Sequence, residues 1–369
     1  MANRLRDIQA LGQSIWIDNL NRGLLEDGGL RRLIEEDGIS GVTSNPTIFE
    51  KAMADSDRYD EAFQAALAET GEPQEIFERL AYSDIRDAAD LLLPTFERTG
   101  GRDGFVSFEL PASLAHNAEG SVEAAVHHSR DLGRPNVLIK VPGTEAGVQA
   151  FEELTARGVN VNVTLLFAVQ RYEEIAEAYL RGLERLAGAH GQLERSASVA
   201  SFFVSRVDTK VDAELERLGR PELRGRAAVA NAKIAYESFR RIFAGPRWDR
   251  LRQDAGAHPQ RLLWGSTSTK NPDYPDTLYV DELIGPDTVN TMPDATIEAA
   301  RDHATPEPTL ASHVEDAHRH MDEIRAAGVD VDDIVLGQLV DEGVEAFAAS
   351  YESLLAALAR KAQALAAAG

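Results

Sequence analysis

Short, strongly hydrophobic runs recur along the chain and alternate with longer segments in which hydrophobic residues follow the helical period. Several of the short runs are almost continuously hydrophobic, which is typical of strands in a parallel sheet with helices on both faces. The alternation of the two patterns predicts an α/β protein built from strand–helix units. We predict eight strands, at Ser14–Asp18, Gly41–Thr43, Gly104–Glu109, Val137–Val141, Val159–Thr164, Ala197–Phe203, Leu262–Ser266 and Thr288–Thr291.

The longer segments predict amphipathic helices. Hydrophobic residues recur about every 3.6 positions in residues 74–97 and again in residues 168–187. Thr144 is a suitable N-cap and Gly158 a suitable stop signal, so we expect another helix between them.

Eight strands joined by helices predict a (β/α)8 TIM barrel, and we expect residues 1–369 to form a single domain. An open, doubly wound sheet is the alternative. That fold usually has a glycine-rich phosphate-binding turn after its first strand, and no such turn is found there. The Gly28-Gly29 pair is better interpreted as an ordinary turn.

Additional helices are expected around this barrel. Residues 44–103 and residues 204–261 are each longer than one helix requires, and so is the tail after residue 291. A helix within residues 2–12 is expected to close the bottom of the barrel. The C-terminal extension, residues 292–369, should be helical and pack on the barrel, and it includes an amphipathic run at Ile334–Leu358.

Composition narrows the functional classes. With 43% hydrophobic residues the chain can bury a large core, and the absence of cysteine excludes a thiol nucleophile and cysteine-bound metal. The net charge of −23 argues against nucleic acid as a partner. No hydrophobic run is long enough to span a membrane and the first residues lack a signal-peptide core, so we expect a cytoplasmic protein with no membrane partner.

Polar residues collect at the carboxyl ends of the predicted strands, where barrels carry their chemistry. Lys140 ends the fourth strand. Burial disfavours a charged lysine, and a neutral amine can attack a carbonyl carbon to form a Schiff base. Asp18 and Glu109 are carboxylates that can move protons. Amide, hydroxyl, aromatic and cationic residues complete the set: Thr43, Asn45, Ser107, Asn162, Thr164, Ser201, Phe203, Arg206, Ser266 and Lys270.

Taken singly, each of these residues also has a structural explanation. Lys140 can pair with an acid at the strand end, Asp18 can cap a helix, and Asn45 can be a turn residue before Pro46. Taken together, they form a site for carbonyl chemistry on a phosphorylated polyol, in which Arg206 and the lysine after strand seven bind phosphate.

Two histidine groups are considered as metal sites. The cluster His313, Glu315, His318 and His320 lacks the paired histidines of the H-E-x-x-H motif. We interpret it as the solvated face of a helix, interpret His127-His128 as surface, and expect no metal.

Several segments resemble transaldolase motifs and follow one another in the order of that family. The most specific are Thr43-Ser44-Asn45-Pro46 and Asn162-Val163-Thr164-Leu165-Leu166-Phe167, with the lysine strand Leu138–Pro142 between them. The others are Ile17-Asp18, Ser107–Glu109, Ser201–Arg206 and Thr291–Pro293, and the length of the chain resembles the longer bacterial branch.

The resemblance implies a barrel of the class I aldolase type that uses no metal or organic cofactor. Such enzymes transfer a dihydroxyacetone unit from sedoheptulose 7-phosphate or fructose 6-phosphate to glyceraldehyde 3-phosphate or erythrose 4-phosphate, in the non-oxidative pentose phosphate pathway. A Schiff-base fructose-6-phosphate aldolase that releases dihydroxyacetone is the alternative. A barrel that binds sugar phosphates or acts as a scaffold without catalytic activity is disfavoured, because Lys140, Asp18 and Glu109 are all present. A monomer and a homodimer both remain open.

The resemblance also implies a role for each matching position. Lys140 corresponds to the Schiff-base lysine, and Asp18 to the acid/base that takes the proton of the C4 hydroxyl. Glu109 and Thr164 correspond to the pair that positions and activates a water for formation and hydrolysis of the imine. Asn45 and Asn162 correspond to the amides that hold the dihydroxyacetone unit. The contacts to the wall of the site and to the phosphate correspond to Ser201, Phe203 and Arg206.

After strand seven the sequence departs from the family pattern. The segment Ser266-Thr267-Ser268-Thr269-Lys270 is longer than the family's element and ends in lysine instead of arginine. Either serine can therefore align with the family's serine. We also expect the segment 267–285 to cover part of the barrel mouth.

Overall fold

A computed structural model describes residues 3–54 and 56–368 of the chain. Eight parallel strands pair in chain order, and the eighth pairs with the first, which closes the barrel. They are β1 Gln13–Ile17, β2 Gly41–Thr43, β3 Phe105–Glu109, β4 Val137–Pro142, β5 Val161–Leu166, β6 Ser198–Phe203, β7 Arg261–Gly265 and β8 Thr288–Met292. The predicted (β/α)8 barrel is confirmed, and no strand boundary differs from its prediction by more than two residues.

Helices surround the barrel and extend past its last strand. In chain order they are α1 Arg4–Ala10, α2 Arg22–Glu26, α3 Gly29–Arg32, α4 Pro46–Ala54, α5 Asp60–Glu69, α6 Pro73–Arg98, α7 Ala118–Leu132, α8 Glu145–Ala156, α9 Val169–Gly188, α10 Ser205–Arg217, α11 Ala227–Ile242, α12 Pro246–Ala255, α13 Leu278–Glu282, α14 Asp294–His303, α15 Val314–Ala326, α16 Val331–Asp333 and α17 Leu339–Ala368. π-helical turns at Leu33–Asp37 and Ile334–Gln338 follow α3 and precede α17. Within the described part of the chain, no helix is both long enough and apolar enough to cross a membrane.

The predicted helices form where the sequence signals place them. Helices α6 and α9 occupy the two segments with helical periodicity. Helix α8 is capped as expected, since the Oγ1 atom of Thr144 accepts a hydrogen bond from the Gly147 N–H group at 3.0 Å. At the N-terminus Asn3 caps α1 through the N–H group of Leu5, while Ala2 lies outside the described residues.

The interior of the barrel is filled by its own hydrophobic cluster, apart from the larger core between strands and helices. Trp16 is the largest member of this cluster and lies against β2 at Gly41, where an added Cβ atom would come within 2.3 Å of the indole ring. Only glycine therefore leaves room for the indole at this position. The interior cluster contains Trp16, Phe105, Leu138, Val199, Leu263 and Val289.

Candidate active site

Strand alternation places the polar residues directly beyond the interior cluster. Side chains two positions apart on a strand face the same side, so the position two residues after an inward hydrophobic residue also faces inward. Leu138 points into the barrel, Ile139 joins the outer core and Lys140 points inward again. The same step along the other strands leads to Asp18, Thr43, Ser107, Ser201 and Thr291.

Lys140 lies inside the barrel with its side chain only 7% exposed. Its Nζ atom donates to the Oε2 atom of Glu109 at 3.0 Å and to the backbone carbonyl of Ser44 at 3.1 Å. Parallel pairing of β3 with β4 sets this contact, because Glu109 is the register partner of Lys140. The lysine does pair with an acid, as in the structural explanation, but the pair is enclosed in the barrel instead of lying at its surface.

The two carboxyl groups of the site have raised pKa values. Burial raises the pKa of Asp18, against a hydrogen bond from Thr43 and the positive charge of Lys140, which both lower it. Burial also raises the pKa of Glu109, and Lys140 again opposes the shift while the charge of Asp18 adds to it. An acid with a raised pKa exchanges its proton more readily near neutral pH, which suits general acid–base chemistry.

Hydroxyl groups fix the carboxyl group of Asp18. The Oγ1 atom of Thr43 lies 2.6 Å from the Oδ1 atom of Asp18 and 2.7 Å from the Oγ1 atom of Thr291. Thr291 lies on β8, and the pairing of β8 with β1 closes the barrel and brings its hydroxyl group to Thr43.

A chain of hydrogen bonds orients the amide of Asn162. Its Oδ1 atom accepts from the Ser201 hydroxyl at 2.6 Å, and its Nδ2 atom donates to the Ser107 Oγ atom at 3.1 Å. The three side chains come from β6, β5 and β3 and are all buried. Because both ends of the amide are held, its donor and acceptor have defined directions in the site.

Thr164 sits at an irregularity in β5. The pairing of β5 with β6 shifts register between Val163 and Leu166, and Leu165 adopts a left-handed backbone conformation with φ of 59°. The Oγ1 atom of Thr164 is buried and has no hydrogen-bond partner among the described residues. A buried hydroxyl of this kind is available for a ligand or water.

Asn45 combines a structural and a site position. Its Oδ1 atom accepts from the Ile48 N–H group at 3.0 Å and so caps the first turn of α4. Its side chain is half-buried just after β2, two positions beyond Thr43. Asn45 therefore has the predicted structural role before Pro46. The same hydrogen bond also fixes the orientation of the amide, and with it the direction of the NH2 group.

Arg206 begins α10 immediately after β6. Its guanidinium lies 5.2 Å from the centre of the Phe203 ring, and within the described part of the chain no carboxylate comes within ion-pair distance of it. Burial lowers the pKa of Arg206, and the charge of Glu342 opposes that shift. A half-buried arginine beside the start of a helix that lacks a side-chain cap is suited to bind an anion.

The segment after β7 carries the last two predicted site residues, Ser266 and Lys270, and the structure places them differently. The Oγ atom of Ser266 lies 2.8 Å from that of Ser205, beside the start of α10, so the structure brings Ser266 close to the Arg206 region. Lys270 is exposed, and its Nζ atom donates to the Ser268 hydroxyl at 2.8 Å. Lys270 therefore lies on the surface, and the structure does not bring it into contact with the polar residues inside the barrel.

Helix α17 contributes a contact at the mouth that the sequence prediction did not include. Tyr274 and Tyr279, in the segment expected to form the cover, donate their hydroxyl groups to Asp212 and Asp208 on α10. The side chain that reaches Lys140 is Phe347 of α17, with its ring centre 5.8 Å from the Nζ atom. No local sequence signal connects Phe347 with Lys140, because the two are far apart along the chain.

The surface interpretation of the histidines is wrong at two positions. His128 is buried and hydrogen-bonded to the Tyr82 hydroxyl, and burial lowers its pKa to about 4. His320 is also buried, and burial lowers its pKa. Among the residues that the structure describes, no three metal-binding side chains group together.

Comparisons with known proteins agree over nearly the whole chain. A sequence model of the transaldolase/fructose-6-phosphate aldolase family matches residues 15–358. The chain is 49% identical to a transaldolase of Thiobacillus denitrificans over 357 residues, which cover 96% of this chain and 99% of that protein. It is 45% identical to a transaldolase of a Parafrankia species over 359 residues, covering 96% and 97%, and 42% identical to transaldolase 2 of a Nostoc species over 372 residues, covering 97% of each.

Proposed function

The chain belongs to the transaldolase/fructose-6-phosphate aldolase family and is an enzyme of the transaldolase class, and from this premise we propose that it transfers a dihydroxyacetone unit between sugar phosphates through a Schiff base at Lys140. The observation that carries the proposal is the enclosed Nζ atom of Lys140, 3.0 Å from Glu109. A second acid, Asp18, lies within the range of its charge.

The first step joins Lys140 to the donor. The Nζ atom attacks the C2 carbonyl carbon of a ketose phosphate, and loss of water leaves an iminium ion. Glu109 is in hydrogen-bond contact with the nitrogen and can take its proton. The hydroxyl of Thr164, which has no hydrogen-bond partner among the described residues, can hold the departing water. The same pair serves hydrolysis of the last imine.

The second step breaks the bond between C3 and C4. Asp18 takes the proton of the C4 hydroxyl, the C3–C4 electron pair moves toward the iminium nitrogen, and an aldose phosphate leaves. The cationic nitrogen favours the ionised form of Asp18 just when a base is required. General-base assistance of this kind contributes about 10²–10⁴-fold in rate.

The three-carbon unit then stays bound as an enamine on Lys140. The amides of Asn45 and Asn162 and the hydroxyl of Ser201 can hold its oxygen atoms. The hydrogen bond from Ile48 orients Asn45, and the hydrogen-bond chain through Asn162 orients the other two side chains. C3 attacks the aldehyde carbon of an acceptor, and Asp18 returns its proton to the new hydroxyl. Arg206, against Phe203, binds the phosphate of donor and acceptor in turn.

The proposed donors are sedoheptulose 7-phosphate and fructose 6-phosphate, and the proposed acceptors are glyceraldehyde 3-phosphate and erythrose 4-phosphate. This exchange places the enzyme in the non-oxidative pentose phosphate pathway. The half-buried guanidinium of Arg206 has no carboxylate partner among the described residues, which supports phosphorylated over free sugars as substrates.

A coupled assay tests the proposed function. Fructose 6-phosphate and erythrose 4-phosphate should yield sedoheptulose 7-phosphate and glyceraldehyde 3-phosphate, and the latter can be followed by its reduction with NADH-dependent coupling enzymes. Lys140→Ala should remove turnover while thermal unfolding remains cooperative. Absence of product with the wild-type protein, or turnover by Lys140→Ala, would refute the proposal.

A further inference from the structure

Helix α17 crosses the mouth of the barrel. Near its start, Glu342 pairs with Lys210 of α10, which follows β6. Two turns later, Ser350 accepts a hydrogen bond at 2.9 Å from Thr47 of α4, which follows β2. Strands β2 and β6 are four positions apart in a closed barrel of eight, so they stand on opposite sides of it. The helix therefore spans the opening above the site.

One face of α17 points down onto the site. Gly343, Phe347 and Tyr351 are spaced four residues apart and share that face. At Gly343 an added Cβ atom would lie 2.8 Å from the side chain of Leu165, the left-handed residue that follows Thr164. Tyr351 packs edge-on against Phe77, with ring centres 5.8 Å apart.

Phe347, between these two contacts, is the member of the face that meets Lys140. Its ring centre lies 5.8 Å from the Nζ atom, and its side chain is half-buried. The ring thus occupies space next to the nitrogen that water would otherwise fill, and it offers water no hydrogen-bond partner beyond its weak π face.

We propose that Phe347 shields the enamine on Lys140 from water and thereby sets the ratio of transfer to release of free dihydroxyacetone. This inference rests on the proposed function and deepens it. An enamine has two fates. Its C3 atom can form a bond to an acceptor aldehyde, or it can take a proton and become an iminium ion.

The second fate leads to release. Water adds to C2 of that iminium ion, the C–N bond to Lys140 breaks, and dihydroxyacetone leaves. The water consumed equals the water lost when the imine first formed, so the reaction needs no other reactant. Hydrolysis of the final imine is common to release and transfer, whereas protonation of C3 by solvent occurs only on the way to release. Exclusion of water by a fixed apolar ring therefore slows the protonation that leads to release and does not slow the attack of C3 on an acceptor aldehyde.

Two rates measured on the same protein test the inference. One is the release of dihydroxyacetone from fructose 6-phosphate alone, and the other is transfer to erythrose 4-phosphate. Phe347→Ala should raise the ratio of release to transfer about tenfold or more. Phe347→Leu, which keeps part of the apolar volume, should give an intermediate ratio and remains informative if the alanine variant does not fold.

Tyr351→Ala is the matched control, since it weakens the packing of the same helix face one turn further on and leaves the Phe347 ring in place. Its ratio should equal that of the wild type. An unchanged ratio in both Phe347 variants would overturn the inference, and so would an equal rise in Tyr351→Ala. If the wild-type protein forms no transfer product at all, the proposed function fails instead.

Discussion

The charge of Lys140 acts on both acids of the site, Asp18 and Glu109, and burial pushes their pKa values in the opposite direction. Burial has the larger effect, so the pKa values of both acids are raised in the folded protein. The opposing effects of burial and of the Lys140 charge on these pKa values depend on single side chains. Substitutions that preserve the shape of a side chain but remove its charge therefore test them.

Asp18→Asn preserves the acceptor for Thr43 and removes the base. We expect kcat to fall by about 10²–10⁴-fold, with the Schiff base still able to form. Single-turnover kinetics with fructose 6-phosphate separate the two steps. Cleavage at the wild-type rate would show that Asp18 is not the base.

The same variant should be more stable at neutral pH. The pKa of Asp18 is raised in the folded protein, so its ionised form is less favourable there than in the unfolded chain. This penalty is absent below the unfolded pKa of about 3.9, grows as the pH rises through the folded pKa, and is constant above it. The gain in Tm of Asp18→Asn over the wild type should therefore be larger at pH 8 than at pH 4.5, and an equal gain at both would contradict the shift.

Arg206→Ala removes the half-buried guanidinium next to Phe203. Loss of charge-assisted hydrogen bonds to a phosphate should raise KM for fructose 6-phosphate about 10- to 100-fold. The rate with unphosphorylated fructose should not change, which provides the internal control. Equal KM values in the wild type and the variant would place the phosphate elsewhere.

At the scale of elements, the strands and the principal helices follow from local pattern, because alternation and helical period are properties of short segments. The cap of α8 at Thr144 was predictable for the same reason. The irregularity in β5 was not, since regular alternation assumes unbroken pairing, and Leu165, in its left-handed conformation, lies against Gly343 of α17, which is distant in sequence. That irregularity belongs to the site, because Thr164 lies within it.

A helix end provides a test at this scale. His190 follows the last turn of α9 with φ of 58° and is exposed. Left-handed backbone costs non-glycine residues about 1 kcal/mol, and glycine is favoured at this position after a helix. His190→Gly should raise the free energy of unfolding by about that amount in urea titrations, with no change in kcat. His190→Ala keeps the strain and should show no comparable gain.

At the scale of the whole molecule, the site depends on contacts between distant parts of the chain. The carboxyl ends of the strands could be located from the sequence, and with them most of the inward polar residues. The burial of His128 and His320 could not, since it depends on how helices pack against one another. The position of Phe347 above Lys140 likewise requires that α17 return across the mouth, and the exposure of Lys270 reflects the path of the loop after β7.

The central claim is that Lys140 forms a covalent imine with a ketose phosphate, and borohydride reduction tests it directly. Wild-type protein reduced in the presence of fructose 6-phosphate should carry the mass of one reduced dihydroxyacetone or hexose phosphate adduct. Peptide mass spectrometry should locate it on Lys140. Lys233, which is also buried and pairs with Glu282 at 2.8 Å, should remain unmodified and serves as the matched control. An unmodified Lys140, or an adduct on Lys233 instead, would contradict the mechanism.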